Sequence, residues 1–127
     1  MNRYLSVIET PYRAVHEEQC DTGLWFTHAL RNAEVGVGVL LRGNAVVYGI
    51  QHQQQPRLTL GMREIAVGPN GENEIRALMA NRVTVYIVVD DAAERGIFKD
   101  DMIPGLQHLP RGWLGKLYDS YQRIIHW

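Results

Sequence analysis

The chain has 127 residues, 46% apolar and 21% charged, with 13 basic against 14 acidic side chains and a net charge of -1. That is the make-up of one soluble globular domain, able to bury roughly two-thirds of its unfolded surface without a disulfide or metal. Such a balance provides no field for nucleic acid and little self-repulsion against other subunits, and no apolar run nears the roughly 18 residues of a membrane span.

Tyr4-Leu5-Ser6-Val7-Ile8 reads as a short apolar strand, broken at Thr10-Pro11-Tyr12 because proline lacks the ladder donor. The apolar part of MNRYLSVIET is too short for a signal peptide. Residues 13–32 read as a helix, with Val15, Phe26, Ala29 and Leu30 near helical spacing. Gly23 within it costs about 1 kcal/mol relative to alanine, so a later start capped by Asp21 is the alternative. Val35 to Leu41, VGVGVLL, predicts a strand covered on both faces, its glycines leaving room on one parity for another element. Gly43-Asn44 then turns into a short helix from about Ala45.

Residues 53–71 predict a long loop with room for a small hairpin; loops longer than about 12 residues are usually functional or mobile. Asn73 is placed to cap a helix through Asn81 that buries Ile75, Leu78 and Met79. VTVYIVV, Val83 to Val89, is the strongest strand signal in the chain. A short helix over 92–95 should end at Gly96, and Asp100-Asp101-Met102 should start a turn closed by Pro104-Gly105. Residues 112–121 predict a helix and 123–127 a terminal strand. Strands alternating with helices imply a mainly parallel sheet covered on both faces, with ligands beyond the carboxyl ends of the strands.

The chemistry-bearing residues are few. Asp90 and Asp91 follow the strongest strand, as an acid/base pair, a magnesium site or a helix cap at Asp91 beside a solvated Asp90. A cleft at that edge would be lined by Thr10, Tyr12, Asn44, Asp90 and Asp91, and a base there should have a raised pKa. Gly36-Val37-Gly38 lacks the third glycine of a dinucleotide fingerprint and lies in a strand, and no phosphate-loop lysine motif is present. His16 and Cys20 stand one helical turn apart, too few for zinc, so no metal and no cofactor is expected. Cys20 is the sole cysteine, which fits a reducing cytoplasm, and its simplest role is a small core residue. His52 and His108 read as solvated loop histidines. Trp25, Trp113, Tyr118, Tyr121 and Trp127 are too dispersed for a base-stacking platform and suit a core or a subunit contact.

Four segments together resemble the DsrE/DsrF-like family, which includes the Tus sulfur-relay subunits. They are the first strand with Thr10-Pro11-Tyr12, LLRGNAVVYGIQHQ, VTVYIVVDDAAERGIFKDDMIPG, and the terminal helix followed by RIIHW. The resemblance covers nearly the whole chain and implies a single domain over residues 1–127. That domain would be a three-layer α/β/α sandwich with a five-stranded, mainly parallel sheet. It also implies a homo-oligomer, or a hetero-oligomer with related DsrE-like subunits. Active members of the family carry a persulfide on a cysteine that, aligned on Arg95-Gly96, falls at or near Val88. This chain has Val88, Val89, Asp90 and Asp91 there, and so resembles the cysteine-lacking subunits that assemble with a carrier partner. Cys20 lies on another element and is the weak candidate for a catalytic thiol.

Overall fold

The computed structural model describes residues 3–11, 21–53, 57–66 and 71–127. Strands β1 (Tyr4–Ile8), β2 (Val37–Leu41), β5 (Thr84–Val88), β6 (Gln107–Leu109) and β7 (Arg123–His126) form a sheet in the order β6-β5-β2-β1-β7. Every neighbouring pair in it is parallel. Among the described residues the other two strands, β3 (Arg57–Leu60) and β4 (Arg63–Ala66), pair only with each other, as an antiparallel hairpin.

Alternation along the strands separates two apolar layers, as the period of two requires. Ile8, Val39, Leu41, Val85 and Ile87 face the larger core, which Leu24 of α1 (Thr22–Asn32) and Ile75 and Leu78 of α2 (Gly71–Ala80) complete. Leu5, Val7, Leu40 and Val88 face the other way, against Leu114 and Leu117 of α4 (Leu114–Asp119) and Tyr121. Helices thus cover both faces of the five-stranded sheet, as expected for the α/β class.

Several local expectations are met and others shift. Among the described residues α1 begins at Thr22, with Asp21 as its N-cap accepting from Gly23 N at 2.9 Å and Leu24 N at 3.2 Å. The start of the longer helix, with His16 and Cys20, lies outside the described residues. A glycine gap in β2 is used as anticipated: a Cβ on Gly38 would sit 2.3 Å from the Tyr121 hydroxyl, which fills that space. The short helix expected after β2 is present as a 3-10 helix, Gly43–Gly49, starting two residues before Ala45. Its Gly43 has φ +56, a value that favours glycine.

Asn73 caps nothing, because α2 already starts at Gly71. Gln53 and Glu72 tie that start to the preceding loop: Gln53 N donates to Glu72 Oε1 at 2.8 Å, and Glu72 N to Gln53 Oε1 at 3.2 Å. The short helix after β5, α3 (Val89–Ala93), begins earlier than expected, since strand passes into helix at Val88 without a side-chain cap. β6, with only the residues Gln107, His108 and Leu109, is not apparent from the pattern, because three residues show no period.

Candidate functional site

Four strand ends meet at the carboxyl rim of the sheet. Glu9 and Thr10 follow β1, Arg42 to Asn44 follow β2, α3 follows β5, and Pro110-Arg111 follow β6. Asp91 is the side chain that joins the last three. Its Oδ2 accepts the Gly43 N–H at 2.7 Å, and its Oδ1 accepts from Arg111 Nε at 3.2 Å and, in a shorter contact, from Arg111 Nη2. The same Arg111 nitrogen pairs with Glu94 Oε1 at 2.8 Å. Arg111 also donates its backbone N–H to Asp90 Oδ1 at 3.3 Å.

A second arginine locks the neighbouring turn. Arg95 donates through Nε and Nη2 to Asn44 Oδ1 at 3.0 and 2.9 Å, and through Nη1 to the Asp91 carbonyl at 2.8 Å. Toward the β7 side, Arg42 donates to the Tyr118 hydroxyl at 2.9 Å and pairs with Glu9 at 3.2 Å. Glu9 in turn lies 2.9 Å from His126 Nε2.

This arrangement corrects the reading of Asp91 as the N-cap of a helix beginning at Ala92. Asp91 is buried in the first turn of α3 and spends its carboxylate on Gly43 and Arg111. Burial, the largest influence, pushes its carboxyl up. The Arg111 and Gly43 hydrogen bonds and the charges of Arg111 and Arg42 outweigh burial and hold it below the usual carboxylate range. The raised value that a general base there would need is therefore reversed at Asp91. Asn44 faces Arg95, and Thr10 is exposed after β1. Tyr12 and Cys20 lie outside the described residues. Among the described residues no group of three or more His, Cys, Asp or Glu side chains could hold a metal ion. No helix among them is long and apolar enough to cross a membrane.

Asp90 differs from its neighbour. It borders an open concavity of about 440 Å³ between α3, the segment after it and β6, with Ile97, Phe98, Lys99, Met102 and His108 also in the wall. His108 is not a loop residue, as its isolated setting suggested, but a half-buried member of β6 paired with Ile87. Burial, with a smaller contribution from the Lys99 charge, pushes its imidazole below the ordinary histidine value. Its alternation with Leu109, which faces the α4 layer, is the signal that marks it, and that signal is usable only once β6 is known to be a strand.

No family model and no curated protein sequence matches the chain. Solved structures do. The ychN protein of E. coli superposes with a TM-score of 0.77 at 21% identity, over 100% of both chains. MTH1491 of Methanobacterium thermoautotrophicum, described as a protein of unknown function, superposes with a TM-score of 0.62 at 13% identity, over 97% of this chain and 99% of its own. At these identities the likeness is one of architecture: the chain has the DsrE-like α/β fold of ychN, with its five-stranded parallel sheet enclosed by helices.

Proposed function

We propose that this chain is a DsrE/DsrF-like subunit, one domain over residues 1–127, that serves sulfur transfer or sulfur metabolism through recognition and assembly and carries no sulfur by itself. The observation that supports this most is the end of β5. Aligned on Arg95-Gly96, the family's carrier thiol would fall at or near Val88, where this chain has Val88, Val89, Asp90 and Asp91, and Asp91 is ion-paired to Arg111. Persulfide exchange needs a thiolate attacking sulfur, and a carboxylate held ionised both lacks that chemistry and repels an anionic sulfur species. Its partner is a second copy or a related subunit bearing the cysteine, in a reducing cytoplasm. The rim's hydrogen bonds suit that role, because they fix a surface and leave few groups free to react.

The test is intact-mass spectrometry of the isolated protein after exposure to a sulfane-sulfur donor and a thiol acceptor. The expected result is no adduct that turns over onto the acceptor, both before and after alkylation of Cys20. A sulfur adduct on Cys20 that is passed to the acceptor would overturn the reading.

A further inference from the structure

The concavity beside α3 has a chemistry that the assembly role does not use. Its walls are mainly apolar, with Val89, Ile97, Phe98 and Met102 contributing. Phe98 is 62% exposed, a large apolar side chain left open to solvent at the edge of the groove. Three ionisable groups interrupt this surface: Asp90, Lys99 and His108. Lys99 and His108 have no described hydrogen bond or ion pair through their side chains, in a molecule whose rim arginines, Arg42, Arg95 and Arg111, are all engaged. A volume of about 440 Å³ lies within the range of small-molecule sites, which combine apolar walls with a few polar groups.

We infer that this groove binds a small monoanionic organic acid, with its carboxylate on Lys99 and His108 and its apolar body against Phe98, Ile97 and Met102. Lys99 supplies a free cation and His108 a ring nitrogen able to donate, and both line the same concavity; these are donors that a carboxylate accepts from. Asp90 sets the limit on charge. Its Oδ1 takes the Arg111 N–H, its other oxygen has no described partner, and its charge disfavours a dianion such as phosphate in the same groove. That oxygen is an acceptor for a hydroxyl or ammonium group on the ligand. The apolar wall explains why a bare ion would not suffice: burying the body of the acid contributes about 0.8 kcal/mol per methylene.

The groove borders the carrier position at Val89 and Asp90, but its test makes no use of the sulfur reading. The ionisable groups that share a concavity with His108 are Asp90 of α3 and Lys99 and Asp100 of the turn before β6. An anion seated on the imidazole stabilises its protonated form, so the pH midpoint of His108 must rise on binding. The experiment is NMR titration of histidine side chains in the full chain with phenylacetate, phenylacetamide, acetate and inorganic phosphate. Phenylacetate should shift the His108 signal and raise its midpoint. Phenylacetamide, acetate and phosphate should do so at least roughly fivefold more weakly. Lys99 is an exposed side chain, so Lys99→Met should leave the fold intact while weakening phenylacetate roughly tenfold or more, as for a charge-assisted hydrogen bond. Equal binding of the acid and its amide would overturn the inference. So would shifts confined to other histidines, unchanged affinity in Lys99→Met, or no response because another chain fills the groove.

Discussion

Asp91 and Glu72 are carboxylates the fold needs ionised, and this makes stability depend on acid in a stated direction. At each, burial is the largest influence and raises the pKa. Hydrogen bonds outweigh it: from Arg111 and Gly43 at Asp91, and from Gln53, Arg76 and the His52 backbone at Glu72. Both folded values lie below the unfolded ones. The stability they contribute is therefore complete above the unfolded carboxylate range, and is lost as pH falls through the folded values. Denaturant titrations should show a shallow loss of stability from about pH 7 to pH 5, because His108 takes up its proton more readily unfolded than folded, and a steeper loss below that as the two carboxylates protonate. Asp91→Asn should flatten the fall. At pH 7 it should cost about 1 kcal/mol, since the amide oxygen still accepts from Gly43 but no longer balances Arg111. Identical acid slopes in the two proteins would show that Asp91 is not held as described. The rim position of the two aspartates is legible in the sequence because VTVYIVV ends at them. Their fates are not, because they depend on Arg111, some twenty residues onward, and only three-dimensional closure brings that side chain back.

Helix ends follow a shared design that the sequence barely signals. After α1, Glu34 N donates to the Arg31 carbonyl and Val35 N to that of Leu30; after α2, Arg82 N donates to Met79 and Val83 N to Leu78. Both are Schellman closures, and both place a non-glycine residue in the left-handed region, Glu34 at φ 63 and Arg82 at φ 63. Both ends nevertheless fall where the apolar spacing stops, at Asn32 as expected and at Ala80 against the expected Asn81, without a glycine to mark them, whereas Gly96, at φ 72 after α3, announces its turn. Asp21 caps α1 through its side-chain oxygen, as in the later-start alternative, whereas α3 has no capping side chain and begins at Val89, three residues before the expected Ala92. A left-handed residue with a Cβ costs about 1–2 kcal/mol, and glycine returns part of that through a freer unfolded chain. Arg82 is exposed, with no described side-chain contact to lose. Arg82→Gly should thus stabilise the protein by about 0.5–1 kcal/mol, read as a rise in Tm of roughly 2–4 °C. A lower Tm would show that the Arg82 side chain contributes more than its conformation costs.

At the scale of the whole molecule the hairpin is the element least explained by a single copy. Two-stranded hairpins are at best marginally stable alone, and β3–β4 shares no ladder with the main sheet. Around its turn, Leu60 is 60% exposed and Met62 105% exposed, so these two apolar side chains are open to solvent and outside both cores. An exposed apolar pair at a hairpin turn is economical when a second subunit covers it, and a net charge of -1 offers little resistance to that approach. Light scattering at micromolar concentration should accordingly give a multiple of the chain mass. Leu60→Lys with Met62→Lys should shift it toward the single chain while circular dichroism stays unchanged, because neither side chain belongs to a core layer. Burying an apolar side chain contributes about 1.5–3 kcal/mol, so two such losses per contact should weaken association roughly a hundredfold or more. A native chain that is already single would remove the assembly reading. A double variant that stays assembled would move the contact to another exposed apolar surface, with Trp25 on α1 and Trp113 before α4 next to be substituted.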